Sequence, residues 1–346
     1  MTRLHTEIAE QPDAVTRLLD RVAPTLPQLH DALWSDDVHH VVLVARGSSD
    51  NAARYAQYLF GLHHHLPVAL ATPSLGSVYG VEPDFRGALV IAVSQSGQSP
   101  DVVGVLDAAR RQGRPALAIT NDPTSPLADA ASHVLDLGVG VEASVAATKT
   151  YTASLAALAL VSLARFGAPR REALLADLAE LPAVLTNVVD TPVDMAAAGL
   201  GDTAHLLVAG RGLNYGTTFE VALKIRELSG IVAEAYSPPD LLHGPIAAVS
   251  PGAAALLVAP TEPSLAGHAD LVSPLRERGA VVAALSADPA LLAAVDLPIE
   301  LRREPADWLT PISTIVPAQR LAAALAAGRG RDLDAPPGLN KVTRTN

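Results

Sequence analysis

The chain has 346 residues, 49 % apolar and 18 % charged, with only 2 Trp, 6 Tyr and 4 Phe. Such a composition belongs to a globular protein whose core is filled by Ala, Leu and Val, and about 150 residues per domain suggests two domains. Zero cysteines exclude disulfides, thiolate zinc sites, iron–sulfur clusters and cysteine nucleophiles, while a net charge of −11 offers no basic field for nucleic acid or an anionic bilayer.

The opening stretch MTRLHTEIAEQPDAV lacks the apolar centre of a signal peptide and reads as part of a helical segment over residues 1–35. Residues 40–51, HVVLVARGSSDN, read as a buried strand, a small polar loop and a helix start, with Ser48 and Ser49 able to face a ligand. Three consecutive histidines, His63, His64 and His65, cannot all point at one ion, so they read as an exposed helix–strand connection rather than a metal site. A second apolar strand, ALVIAVS at 88–94, runs into VSQSGQSPD at 93–101. Ser99, Pro100 and Asp101 mark a helix start there, and Gly113 closes that helix after Arg110 and Arg111. Helix N-termini present unpaired N–H groups and a positive dipole end, so the hydroxyls of Ser94, Ser96 and Ser99 could complete a phosphate cradle without any lysine or arginine. The alternative is a plain serine-rich turn. Neither GxGxxG nor a Walker loop is present, which disfavours a nucleotide. The uncharged run between Lys149 and Arg165 is too short to span a bilayer, and 171–198 reads as a helical linker.

Residues 205–216, HLLVAGRGLNYG, align with 40–51 at an offset of 165, and AAALLVA at 253–259 falls opposite 88–94. SADP at 286–289 answers TNDP at 120–123, one residue out of step. Continuous apolar strands alternating with helices indicate parallel sheets covered on both faces. The expected fold is therefore α/β, with two tandem doubly wound parallel-sheet domains at 36–170 and 199–327. The tail at 328–346 is too polar to form a core element and needs something to dock on. GRGLN lacks the serines of RGSSD, so only the first domain is expected to keep a phosphate role. In FEVALKIRELSG at 219–230, Glu220, Lys224 and Glu227 share one helix face, which is either the solvent face, favoured by the ordinary behaviour of charges, or the wall of a polar cleft. His243 lies in the loop PPDLLHGP at 238–245, where a lone histidine is more often structural than catalytic. Glycines and prolines interrupt the uncharged run between Asp240 and Glu262, so it too is no spanning helix, and a cytoplasmic protein is expected.

Taken together, EIAEQP at 7–12, SQSGQS, VEASVAATKTYT, the Lys224 helix and DAPPGLNKVT resemble the sugar isomerase (SIS) family, in particular the isomerase half of glutamine:fructose-6-phosphate amidotransferases. The resemblance implies that Ser48, Ser49, Ser94, Gln95, Ser96 and Ser99 hold a sugar phosphate and that Val145 contributes to the sugar site. It further implies that Lys224 and Glu227 face the sugar, with Glu227 moving a proton between C1 and C2. His243 would come from a partner subunit to help open the ring, and Lys341 could form a Schiff base, which gives the tail its reason to be ordered. A homodimer with shared sites follows, with no metal and no cofactor. This chain departs from the family in lacking the glutaminase domain and its cysteine, and in Ala147 and Arg226. The expected reaction is therefore conversion of glucosamine 6-phosphate to fructose 6-phosphate and ammonia. Alternatives are a fructosyl-amine 6-phosphate deglycase, a ketose/aldose phosphate isomerase or a non-catalytic sugar-phosphate sensor. The last is disfavoured because no helix-turn-helix precedes residue 40 and the chain is acidic.

Overall fold

The computed structural model describes residues 2–341. Contacts divide these residues into two units, one of residues 13–142, 149–179 and 340–341, the other of residues 2–12, 143–148 and 180–339. Each unit carries one sheet, called here the first and second domain.

The first sheet holds β1 (His40–Val44), β2 (Val68–Leu70), β3 (Ala88–Ser94), β4 (Ala116–Thr120) and β5 (His133–Asp136) in the order β2-β1-β3-β4-β5, all parallel. The second holds β6 (His205–Gly210), β7 (Val232–Tyr236), β8 (Ala254–Val258), β9 (Val281–Ser286) and β10 (Leu297–Glu300) in the order β10-β9-β8-β6-β7, again parallel. Read from the other edge, the second order is the first one repeated, which is what the 165-residue repeat required. Both are the doubly wound 2-1-3-4-5 arrangement, whose ligand crevice opens where the winding reverses, between β1 and β3 and between β6 and β8. The central strands β3, β4 and β8 are buried almost throughout, because helices cover both sheet faces.

In the first domain the Lys149–Ala164 helix is buried along its whole length, so the uncharged run that follows Lys149 reflects a core position. The histidine run differs from the expectation of an exposed connection. His63 and His64 end the Ser48–His64 helix half-buried; the His64 ring lies 4.5 Å from that of Phe166, and both histidines hydrogen-bond the Ser162 hydroxyl, at 2.9 and 3.0 Å. Burial lowers their pKa values to about 4 and about 3 and favours neutral rings. Only His65 is exposed, as a left-handed C-cap. No helix among the described residues is long and apolar enough to cross a membrane.

Candidate active site

Two serine loops flank the reversal point of the first sheet. Gly47, with φ +56°, turns the chain out of β1, and Ser48 and Ser49 open the Ser48–His64 helix. Ser94 is the last residue of β3; its Oγ accepts the Gly97 N–H at 3.1 Å and closes the loop on itself. Gly97 has φ +63°, and a Cβ there would lie 2.1 Å from the Ser125 hydroxyl, so only glycine fits. Ser99 is the N-cap of the Pro100–Arg111 helix, with Pro100 as its first residue. Ser48, Ser49, Ser94, Gln95, Ser96 and Ser99 are all partly exposed, as side chains that receive a ligand must be.

The two loops are tied by a pair the sequence reading missed. The Arg46 guanidinium donates to Asp101 Oδ2 from Nε at 2.8 Å and from Nη2 at 2.6 Å. Asp101 is buried at the helix N-terminus, and half of the Arg46 side chain is exposed. Thus the cradle, expected to lack a cation, has one beside it.

Next to this edge, Gln95, Asn121, Asp136 and Glu142 line a cavity of about 530 Å³. A larger cavity of about 710 Å³ lies elsewhere in the domain, lined by Leu70, Leu75, Val81 and Phe85 among others; its mostly apolar wall suits a sugar phosphate less well. Glu142 was quoted only as part of a motif, yet its side chain is fully buried and accepts the Thr150 N–H at 3.0 Å, the Thr150 hydroxyl at 2.7 Å and the Lys341 ammonium at 2.7 Å. The tail lysine therefore ends against a carboxylate at the N-terminus of the Lys149–Ala164 helix.

In the second domain the charged face of the Tyr215–Ser229 helix is not a solvent face. Glu220 and Lys224 are buried, with side chains 0 % and 2 % exposed, and Glu227 is partly exposed. Lys224 Nζ sits 3.5 Å from Glu220 Oε1 and hydrogen-bonds Glu227 Oε2. Packing of this helix on the Thr310–Gly328 helix and on β6 and β7 removes water from one side of the stripe. The solvent-face reading is thereby overturned, and Glu220 is buried together with Lys224. His243 caps the short Pro238–Leu242 helix with its side chain exposed. Val145 is half-buried in the segment 143–148. That segment is held at one end by Glu7, which accepts the Ala143 and Ser144 N–H groups, and at the other by Gln319, whose Nε2 donates to the Thr148 carbonyl at 3.5 Å.

The reversal point of the second sheet is built differently. Gly212 brings the backbone so close that a Cβ would sit 3.3 Å from Glu262 Oε1, and Glu262 accepts the Ser264 hydroxyl at 2.6 Å. Burial pushes its pKa up to about 7. His268 beside it is fully buried and bonds the Ser264 carbonyl through Nδ1 at 3.1 Å, and burial lowers its pKa to about 4.

The SIS domain model matches residues 36–164. A crystal structure from Silicibacter pomeroyi DSS-3, described as a phosphosugar isomerase, superposes with a TM-score of 0.86 at 34 % identity, covering 96 % of this chain and all of its own. The chain belongs to the SIS family. Another SIS relative, glutamine–fructose-6-phosphate aminotransferase of Gloeobacter violaceus, is 34 % identical over 355 residues, which take in 97 % of this chain but only 57 % of the relative. The C-terminal domain of glucosamine-fructose-6-phosphate aminotransferase from Francisella tularensis superposes with a TM-score of 0.84 at 27 % identity, covering 97 % of this chain and 98 % of its own. This SIS chain thus spans little more than half the length of the curated relatives it matches.

Proposed function

We propose that the protein is an amino-sugar-phosphate deaminase/isomerase converting glucosamine 6-phosphate and water into fructose 6-phosphate and ammonia. The observation that carries this reading is the Glu220–Lys224–Glu227 stripe, whose Glu220 and Lys224 are buried and whose Glu227 is partly exposed. Ion pairs withdrawn from water cost desolvation energy, and a fold that needed only packing would do as well with apolar residues there. In this scheme the hydroxyls of Ser48, Ser49, Ser94, Ser96 and Ser99 and the adjoining N–H groups bind the phosphate. The His243 imidazole, supplied by a partner subunit, moves the proton that opens the ring. Glu227 takes the C2 proton of the open-chain aldehyde to give an enaminol and returns it to C1, which leaves a C2 imine. Water then adds to C2, and ammonia departs. Lys224 holds the Glu227 carboxylate in place, and Lys341 can contact the sugar carbon chain from the tail.

The relatives' names support a phosphorylated sugar substrate. The deciding assay measures ammonia and ketose release from glucosamine 6-phosphate, fructosyl-amine 6-phosphates and unaminated aldose phosphates in parallel. Ketose formation without ammonia would leave a simple aldose–ketose isomerase instead. The shared site has its own test. Mixing inactive His243→Ala and Glu227→Gln homodimers under subunit exchange should restore activity, to a ceiling of about half per mixed dimer. Confirmed exchange without activity would place His243 within its own subunit's chemistry or outside it altogether.

A further inference from the structure

Helix Arg3–Ala9 lies far in sequence from every residue of the proposed chemistry, yet its bonds reach the segment that follows Glu142 and the tail that precedes Lys341. At its N-terminus the Arg3 and Leu4 N–H groups donate to the two Asp334 carboxylate oxygens at 3.1 and 3.2 Å, seven residues before Lys341. Leu4 and Ile8 are buried, at 1 % and 2 % exposure, so the helix is anchored in its domain. From the middle of the helix, Glu7 projects a buried carboxylate that accepts the Ala143 N–H at 2.5 Å and the Ser144 N–H at 3.2 Å, directly after Glu142. Beyond the helix, Gln11 Nε2 donates to Gln319 Oε1 at 2.8 Å, and Gln319 in turn reaches the Thr148 carbonyl. Glu142 and Lys341 are themselves joined, Nζ to Oε2, at 2.7 Å.

We propose that Glu7 and Asp334 are positioning residues: the Arg3–Ala9 helix is a strut that fixes both the segment following Glu142 and the tail preceding Lys341, and so holds that ion pair formed. The tail alone has little to order it, since Leu333 and Pro336 are its buried members after Arg331 and the four residues 337–340 are exposed. Two backbone N–H groups converging on one carboxylate at a helix N-terminus supply a directional anchor that apolar contact does not.

The importance given to Lys341 rests on the function proposed above, but the test does not. The chain contains three lysines, and Lys149 and Lys224 are buried at 3 % and 2 % exposure while the Lys341 side chain is 23 % exposed. Trace acetylation of the folded full-length chain with acetic anhydride, followed by peptide mapping, therefore reads Lys341 against two internal controls. Asp334→Asn and Glu7→Gln should each raise the Lys341 labelling rate roughly fivefold or more, the size expected for releasing a partly exposed charge pair. Glu142→Gln sets the upper limit, and Asp334→Glu, which keeps the carboxylate, should stay protected. A Lys341 rate within about twofold of the parent in Asp334→Asn overturns the strut. So does a rise shared by Lys149 and Lys224, which reports general loosening. Should Glu7→Gln fail to fold, the half-buried Asp334 variants carry the test. Absence of any sugar turnover would defeat the functional reading and leave the labelling result intact.

Discussion

The two domains share a sheet order, a repeat and even a burial pattern, but not their chemistry. At the repeat offset of 165, Glu220, Lys224 and Glu227 fall opposite Tyr55, Leu59 and Leu62. Tyr55 and Leu59 are 0 % exposed, as buried as Glu220 and Lys224, whereas Leu62 is exposed. The same helix face that the first domain fills with an aromatic and an aliphatic side chain is filled in the second by a carboxylate–ammonium–carboxylate stripe. At the sheet edge the division is reversed. Partly exposed hydroxyls gather around Gly97 at the β1/β3 crevice, while Glu262, opposite Gly97 at the same offset, brings a buried carboxyl to the β6/β8 crevice. Each sheet offers one crevice and one helix face, and the function proposed above uses one of each.

The comparison is broken most forcefully at Lys224. If the stripe were interchangeable with the first domain's apolar face, Lys224→Met would be neutral. Because the change strands two carboxylates, one of them fully buried, it should instead cost on the order of 3–5 kcal/mol in urea unfolding. Adding Glu220→Gln should recover part of that loss. A single variant as stable as the parent would mean that the carboxylates are already neutralised by other means.

A second test concerns the carboxyl in the second crevice. The Glu262 pKa, raised to about 7 from 4.5 by burial, means that the folded state holds a proton which the unfolded chain has lost above pH 4.5. Stability from this group is therefore full below pH 4.5 and lost as pH rises through 7, by on the order of 3 kcal/mol. Glu262→Gln keeps the hydrogen-bonding shape and removes the titration, so its stability relative to the parent should rise between pH 5 and pH 9. Parallel pH profiles for the two proteins would show that Glu262 is ionised throughout.

Next in size is the chemical step. Glu227→Gln should lower kcat by roughly 10²-fold while sparing KM, as expected for a lost general acid/base. The same residue's repeat partner is the exposed Leu62, and Leu62→Gln should leave kcat unchanged. Solvent deuterium exchange at C1 and C2 that persists at the parental rate in Glu227→Gln would assign the proton transfer to another group.

The fold was legible because apolar runs, and their recurrence at an almost constant offset, can be read along the chain, and a doubly wound sheet converts them directly into strand order. The serine loops were legible for the same reason: strand, loop and helix start are consecutive. The Lys224 face was ambiguous, because a charged stripe looks the same in sequence whether water or another helix lies against it. Packing on the Thr310–Gly328 helix, β6 and β7, set by the tertiary fold, decides. Arg46–Asp101 and Glu142–Lys341 were missed as pairs for a related reason. Their partners are 55 and 199 residues apart, and no periodicity links them. Glu142 did carry a signal, a lone acid seven residues before the long Lys149–Ala164 helix, where a carboxylate can satisfy the first N–H groups.

The smallest effect is expected at the first crevice itself. Ser96 is partly exposed on a loop whose backbone is fixed by Gly97 and the Ser94 hydroxyl, so a leucine there can be accommodated without disturbing the fold. It would nonetheless remove one hydroxyl and cover the N–H groups at the start of the Pro100–Arg111 helix. Loss of one or two such donors to a phosphate should weaken sugar-phosphate binding roughly tenfold, with kcat little changed and unfolding unaffected. At the offset of 165 the matching position is Thr261, whose N–H already donates to the Glu304 carboxylate at 3.1 Å. Thr261→Leu should therefore leave binding of the sugar phosphate unchanged in calorimetry. If Ser96→Leu binds as tightly as the parent, or Thr261→Leu binds more weakly, the phosphate does not lie in the first crevice and the functional division between the domains is drawn in the wrong place.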